Sequence, residues 1–172
     1  MVRIKAYISR KIASEAAELL AWLADNGRTV TFAESCTGGM LAAAFTANDG
    51  ASAALRQAYV TYCDDAKALL LGVSTQTLAA CTAVSAQTAA EMARGAAEKA
   101  KADVAISVTG LAGPGGGTAE QPVGLVFIGV AVGGSVKAYR CQFAGGRDMV
   151  RLQAALTAYR LANEAVKNYS EV

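Results

Sequence analysis

The sequence predicts an α/β domain in which helices cover both faces of a mixed sheet. Segments with helical spacing of apolar residues alternate with short strand-like segments, which favours parallel strands joined by helices. The segment at 103–109 is apolar enough to lie inside such a sheet. Two late apolar segments flank Gly133-Gly134 and favour an antiparallel hairpin, which makes the sheet mixed. We therefore expect one three-layer α/β/α domain over residues 1–172.

The first half of the chain predicts three helices and two strands. Apolar residues recur at helical spacing from Ile12 to Leu23, and Asn26-Gly27 is a typical helix stop. Asn48-Asp-Gly50 ends a later short helix, and Asp64 or Asp65 can cap the third. In chain order the elements are a helix from Ile12 to Asn26, a strand over 29–33, a tight turn over 35–39, a helix over 40–46, a strand over 58–62 and a helix through Lys67 to Leu71.

The second half predicts two longer helices around three strands. Ser85 can cap the first helix, and an apolar stripe from Leu152 to Val166 marks the second. The segment at 110–121 is rich in glycine and reads as a long turn. In chain order the elements are a helix from Ala86 to about Lys101, a strand over 103–109, the long turn, a hairpin of strands over 123–132 and 135–143, and a helix from about Arg147.

Composition excludes several kinds of chemistry and partner. The chain contains no histidine, which removes His-based zinc sites, Ser-His-Asp triads and Cys-His dyads. None of the four cysteines forms a Cys-x-x-Cys pair, and a net charge of +2 without a dense basic run does not predict binding to nucleic acid. Acidic residues interrupt the apolar N-terminal segment, and no segment is apolar enough to span a membrane. We expect a cytoplasmic protein with reduced thiols that needs no metal or cofactor.

A first candidate segment, Ala33-Glu-Ser-Cys-Thr-Gly-Gly39, lies where a strand passes into a helix. Side chains at such a point face the crevice in which α/β proteins place ligands. Ser35 would be exposed there as a nucleophile, and the following backbone N–H groups could stabilise an oxyanion. The alternative is that Ser35 and Thr37 only cap the helix. Cys36 is a weaker candidate for the nucleophile because it would need the same scarce base.

A second candidate segment, Tyr62-Cys-Asp-Asp-Ala-Lys67, ends a predicted strand and begins a helix. Free lysine titrates about three pH units above neutrality, so a lysine that acts as a base at pH 7 needs roughly 4 kcal/mol of perturbation. A helix N-terminus lowers the pKa of an ammonium, whereas Asp64 and Asp65 would oppose that shift. A solvated lysine is the alternative, but a Ser–Lys pair is the most economical hydrolytic dyad in a chain without histidine.

Two further segments could hold an anion. The glycine-rich segment at 109–118 can present backbone N–H groups, although it matches neither a Walker A loop nor a dinucleotide fingerprint. Arg147 and Arg151 stand four residues apart at the start of a helix, hence on one face, where they would suit a phosphate. A flexible turn and a solvated basic face are the respective alternatives.

These four segments, in this order, resemble the C-terminal domain of the CinA family, also called the nicotinamide mononucleotide deamidase family. The family shows an Ala-Glu-Ser-Cys-Thr-Gly-Gly run, a Val-Thr-Tyr-Ser-Asn-x-x-Lys run, a Thr-Gly-Ile-Ala-Gly-Pro-Gly-Gly-Gly run followed by Pro-Val-Gly, and a Gly-Asp-Arg segment before a long helix. The matching segments here are 33–39, 60–67, 109–117 with 122–124, and Gly146-Arg147. The resemblance extends from about Glu15 to Val166.

The resemblance implies a serine amidohydrolase that converts nicotinamide mononucleotide to nicotinate mononucleotide and ammonia. It places the nucleophile on Ser35 and its partners on Tyr62 and Lys67. The substrate-binding residues that it implies are Glu34, Cys36, Thr37, Gly38, Thr109, Gly110, Gly113, Gly115, Gly116, Arg147 and Arg151. It also implies that the protein binds a small nucleotide as its substrate and forms a homodimer. Longer members carry an N-terminal domain that acts on ADP-ribose, and we expect no pyrophosphatase activity from this chain.

This sequence departs from the family pattern close to the predicted chemistry. Cys63 and Asp64 replace Ser and Asn, and Cys81-Thr82 stands where His-Gly is common; Leu111 replaces Ile in the glycine segment. The additional carboxylate at Asp64 could raise the pKa of Lys67. Two alternatives therefore stay open: a nucleotide-binding protein without catalysis, and an amidase for another small amide.

Overall fold

The computed structural model describes residues 2–170, and its elements alternate as the sequence predicts. The short helix, the hairpin and the last two long helices lie where they were expected. In chain order the elements are α1 (Val2–Asp25), β1 (Val30–Glu34), α2 (Met40–Thr46), α3 (Ala51–Ala54), β2 (Leu55–Val60), α4 (Asp64–Leu71), α5 (Thr75–Cys81), α6 (Ala86–Ala100), β3 (Val104–Gly110), β4 (Leu125–Val132), β5 (Ser135–Gln142) and α7 (Arg147–Ser170).

The five strands form one mixed sheet in the order β2-β1-β3-β4-β5. β1 is parallel to both β2 and β3, so the carboxyl ends of these three strands meet at one edge. β4 and β5 are antiparallel neighbours that turn at Gly133-Gly134, which confirms the predicted hairpin. The predicted mixed α/β fold is therefore confirmed.

Helices cover both faces of this sheet. Phe32 of β1 and Ile106 of β3 point to the face covered by α2 and α7, with α1 packed outside α7. The neighbouring Ala33 and Ala105 point to the opposite face, where α6 packs with α4 and α5 beside it. This alternation follows from the two-residue period of a strand and produces the three layers.

Some element bounds differ from the prediction. α1 begins at Val2, and its buried stripe includes Ile8 one turn before Ile12. β2 ends at Val60, level with Glu34 of β1, so Tyr62 follows the strand instead of ending it. Asp64 and Asp65 do not cap α4: the N-cap is Cys63, and the two carboxylates lie in the first turn. By contrast, Ser85 caps α6 and accepts a hydrogen bond from the Thr88 amide, as predicted.

No helix among residues 2–170 is long and apolar enough to cross a membrane.

Candidate active site

A cavity of about 240 Å³ opens at the edge where β1, β2 and β3 end. Parallel strands place their carboxyl ends together, which is where open α/β sheets form ligand crevices. The cavity is lined by Ser35, Cys36, Tyr62, Asp64, Lys67, Ala83, Val84, Thr109, Gly110, Leu111, Ala112, Gly113, Gly115 and Arg147. All four candidate segments of the sequence therefore contribute to one site.

Glu34 anchors the turn that carries Ser35. The N-cap of α2 is Gly39, which has no side chain and adopts φ +91°. The buried carboxylate of Glu34 takes over this task and accepts hydrogen bonds from the amides of Gly39 (3.0 Å), Leu41 (3.2 Å) and Ala42 (2.9 Å). A carboxylate at a helix N-terminus is favoured by both hydrogen bonding and the helix dipole.

The hydroxyl of Ser35 is consequently free to face the cavity. Neither Ser35 nor Thr37 caps α2, so the capping alternative is wrong for both residues. The Ser35 amide donates to the Val108 carbonyl at 2.9 Å, which ties the turn to β3. The next amide, that of Cys36, donates to no oxygen of the described residues. Burial raises the pKa of the Cys36 thiol to about 11, so this thiol is protonated at neutral pH and a poor nucleophile.

Lys67 is buried next to Ser35. Its side chain is 1% exposed, and its Nζ lies 3.4 Å from Ser35 Oγ and 3.0 Å from the Thr61 carbonyl oxygen, to which it donates. Burial lowers the pKa of Lys67, because an ammonium loses its hydration there. The nearby Asp64 carboxylate opposes this shift, with Oδ1 at 3.9 Å from Nζ. The sequence attributed the lowering to the helix N-terminus, whereas in the structure burial is the main cause.

Tyr62 and Arg147 close one side of the cavity. Arg147 is the first residue of α7, and its guanidinium donates to the Tyr62 hydroxyl at 2.7 Å and to the Gly113 carbonyl at 2.8 Å. Among residues 2–170 no hydrogen bond joins Tyr62 to Ser35 or Lys67. The role of Tyr62 as a catalytic partner therefore stays a prediction.

Arg151 lies one helical turn further along α7 and binds the backbone of the turn that carries Ser35. Its Nε donates to the Cys36 carbonyl at 3.1 Å, and its Nη2 donates to the Thr37 carbonyl at 2.8 Å. A planar guanidinium suits two neighbouring carbonyls, because its N–H groups are fixed as a fork. Only Arg147 of the two arginines lines the cavity.

The glycine-rich segment forms the opposite wall. Its ends are fixed, because Leu111 donates to the Leu125 carbonyl and Thr118 donates to the Gln121 carbonyl. In the part of the chain that the structure describes, the amides of residues 112, 113 and 115–117 donate to no protein acceptor. Such a run of free amides beside Arg147 can bind an anion.

The structure brings nine of the fourteen predicted site residues to the cavity wall, namely Ser35, Cys36, Tyr62, Lys67, Thr109, Gly110, Gly113, Gly115 and Arg147. The other five support the wall or lie outside it, namely Glu34, Thr37, Gly38, Gly116 and Arg151. Five further lining residues were not among the predicted site residues, namely Asp64, Ala83, Val84, Leu111 and Ala112. Ala83 and Val84 precede the cap of α6, and the cap signal at Ser85 could have located them.

The model of the CinA C-terminal domain matches residues 12–166 of this chain. The chain belongs to the CinA C-terminal domain family. A nicotinamide-nucleotide amidohydrolase PncC from Enterobacter agglomerans is 50% identical over 153 residues, which cover 88% of this chain and 93% of that protein. A CinA-like protein from Geobacter sp. strain M21 is 46% identical and matches 91% of this chain, but the chain spans only 38% of that longer relative.

Solved members of the CinA superfamily share the fold. The competence/damage inducible protein CihA from Agrobacterium tumefaciens is 43% identical, with a TM-score of 0.85 over 88% of this chain and 93% of that one. The competence damage-inducible protein A (ComA) from Klebsiella pneumoniae is 37% identical, with a TM-score of 0.87 over 91% of this chain and 97% of that one. The CinA resemblance predicted from four short segments is confirmed over the whole domain.

Proposed function

We propose that this chain is an amidohydrolase that converts nicotinamide mononucleotide to nicotinate mononucleotide and ammonia. The observation that carries this proposal is the buried Lys67 Nζ at 3.4 Å from the Ser35 Oγ, within a cavity whose wall offers free amides and an arginine. The PncC relative, which is matched over nearly its whole length, supports the same reaction.

The proposed reaction begins with proton transfer from Ser35 to Lys67. Burial favours the neutral amine of Lys67, which can accept the proton from Oγ over the short distance between them. Oγ then bonds to the carboxamide carbon, and negative charge develops on the amide oxygen. The amide of Cys36, which donates to no oxygen of the described residues, is proposed to stabilise that oxyanion. Because the hydroxyl of Tyr62 is bound to Arg147, the geometry supports direct transfer between Ser35 and Lys67.

The acyl-enzyme then forms and is hydrolysed. The carbon–nitrogen bond breaks as the Lys67 ammonium gives its proton to the departing nitrogen, which leaves as ammonia. Water attacks the acyl carbon, Lys67 accepts a proton from that water, and the proton returns to Oγ as the ester bond breaks. The pyridinium ring withdraws electrons from the carbonyl and assists attack by a modest nucleophile.

The phosphate is proposed to bind between Arg147 and the glycine-rich segment. Arg147 is exposed at the N-terminus of α7, where the helix dipole also favours an anion. Arg151 is instead proposed to hold the nucleophile turn, because both of its hydrogen-bonding partners are backbone carbonyls of that turn. This division assigns the phosphate to one of the two arginines that the sequence left open.

One observation favours a second candidate, a nucleotide-binding protein without catalysis. The Asp64 carboxylate lies 3.9 Å from Lys67 and favours the charged ammonium, which cannot act as a base. Titration of Lys67 separates the two proposals, because the enzyme needs a neutral amine in the pH range of its activity. A panel of small amides tests the other alternative, an amidase with a different substrate.

The decisive experiment is ammonia release from nicotinamide mononucleotide by the parent, Ser35→Ala and Lys67→Met. Ser52→Ala and Lys99→Met are matched controls, since both residues are exposed and outside the cavity. We expect release by the parent and both controls and none by the two cavity variants, with all proteins folded by circular dichroism. Release by Ser35→Ala would remove Ser35 as nucleophile, and no release by a folded parent that binds the nucleotide would favour the second candidate. The homodimer implied by the resemblance is tested by light scattering.

A further inference from the structure

Asp64 is an acidic group of the cavity that the proposed reaction does not use. Among residues 2–170, Asp64 is the only acidic residue that lines the cavity. It accepts no hydrogen bond within those residues, and it does not cap α4, whose N-cap is Cys63. Its one ion pair is the long contact of 3.9 Å to Lys67. The carboxylate is therefore available to a ligand in the cavity.

The position of Asp64 matches one feature of the proposed substrate. Lys67 Nζ lies within 4 Å of both the Asp64 carboxylate and Ser35 Oγ, so the carboxylate is close to the atom that attacks. In nicotinamide mononucleotide only two ring carbons and their bonds separate the carboxamide carbon from the positively charged ring nitrogen. A carboxamide that reaches Ser35 therefore brings a cationic ring near Asp64, while Arg147 supplies the complementary charge for the phosphate.

On the basis of the proposed function, we propose that Asp64 is a specificity-determining residue that selects amides carried by a cationic ring over amides carried by a neutral one. The negative Asp64 and the positive Arg147 give the cavity two opposite charges when Lys67 is neutral. This pattern complements a ligand with a pyridinium at one end and a phosphate at the other. A neutral aromatic amide gains nothing from Asp64.

Removal of the Asp64 charge has opposite effects on the binding of a cationic ring when it acts directly and when it acts through Lys67. Removal of the Asp64 charge favours the neutral form of Lys67, and a less positive Lys67 would strengthen the binding of a cation. Loss of the direct attraction between Asp64 and the ring would weaken that binding. Both nucleotides carry the same phosphate, so a loss of affinity that is confined to the cationic ring cannot come from the change at Lys67. The side chain of Asp64 is 57% exposed, so water screens the attraction and the effect is modest.

The test measures binding of nicotinamide mononucleotide and of its reduced form, whose ring is neutral, by isothermal titration calorimetry. Ser35→Ala serves as the background that prevents turnover, and Asp64→Asn and Asp65→Asn are added to it. Asp65 is a matched control because it is an exposed acid in the same helical turn that lies outside the cavity wall. Asp64→Asn should weaken the complex with the oxidised nucleotide about two- to fivefold and leave the reduced one unchanged, whereas Asp65→Asn changes neither.

Two results would overturn the inference, and both differ from failure of the proposed function. Equal weakening of both nucleotides by Asp64→Asn would show a structural role, and no weakening of either would show that Asp64 does not meet the ring. Either result stands beside a parent protein that still releases ammonia. Failure of the proposed function appears instead as a folded parent that releases no ammonia from nicotinamide mononucleotide, and a parent that also does not bind this nucleotide overturns the inference as well.

Discussion

Replacing Glu34 with glutamine should destabilise the fold and misplace Ser35, the proposed nucleophile, although the side chain keeps its shape. One carboxylate oxygen accepts from two amides, those of Gly39 and Leu41, and the other accepts from Ala42. A glutamine has one acceptor oxygen, so its NH₂ group must face at least one of these N–H donors. The side chain is 1% exposed, and water is poorly placed to replace the missing acceptor.

The magnitude follows from the number and kind of these hydrogen bonds. A hydrogen bond to a charged group contributes about 1.5–3 kcal/mol, and a neutral one contributes about half as much. Glu34→Gln loses one charge-assisted bond, weakens two others and removes a negative charge from the N-terminus of α2. We expect the free energy of unfolding to fall by about 3–4 kcal/mol, which corresponds to a melting temperature roughly 10 °C lower for a domain of this size.

Urea unfolding and ammonia release test this prediction together. Glu98→Gln is the matched control, because Glu98 is exposed on α6 and its change should alter stability by less than about 0.5 kcal/mol. Turnover by Glu34→Gln, measured well below its melting temperature, should fall because the turn that aims Ser35 is no longer fixed. An unfolding free energy within about 0.5 kcal/mol of the parent would refute the anchoring role of the carboxylate.

Three further changes test other parts of the site. Because burial lowers the pKa of Lys67, the folded parent binds fewer protons than the unfolded chain between that lowered pKa and the ordinary value. Its unfolding free energy should rise with pH through that window, and urea unfolding of Lys67→Met should lack the rise. Gly95→Ala would place its Cβ 1.7 Å from the Leu71 carbonyl, so it should lose about 2 kcal/mol despite the better helix propensity of alanine, as measured by the same assay. Arg147→Ala should raise KM for nicotinamide mononucleotide about tenfold or more, whereas Arg151→Ala should mainly lower kcat.

The elements that the sequence predicted well are those with a buried stripe or a clear cap. α6 has seven buried residues at helical spacing and a serine cap, and both its ends were placed within a residue. α5 was missed because it has no buried residue and therefore no apolar period. β2 was misplaced because it is an exposed edge strand, and its limits follow from pairing with β1, which the sequence does not display.

The sequence likewise predicted some features of the candidate site and left others open. Motif spacing identified the residues that face the cavity, because they follow strand ends that a parallel sheet must bring together. It could not separate Arg147 from Arg151, since residues four apart share a helix face, and their different roles follow from the hydrogen-bonding partners that the fold brings to each. It also left open whether Ser35 caps α2, because serine is a common cap and glutamate five residues before Gly39 is not an ordinary one.

The proposed function sets two opposite electrostatic requirements for the cavity. A general base must lose its proton near neutral pH, whereas a phosphate ligand needs a cation that keeps its charge. Depth in the fold separates the two: Lys67 is buried and its pKa is lowered, while Arg147 is exposed at the start of α7. Asp64 lies between these extremes, and its 57% exposure screens its effect on Lys67 while leaving it accessible to a ligand. A substitution that buried Asp64 would therefore strengthen the ion pair with Lys67 and keep its amine protonated, so this carboxylate is compatible with the proposed role of Lys67 only because it stays near the solvent.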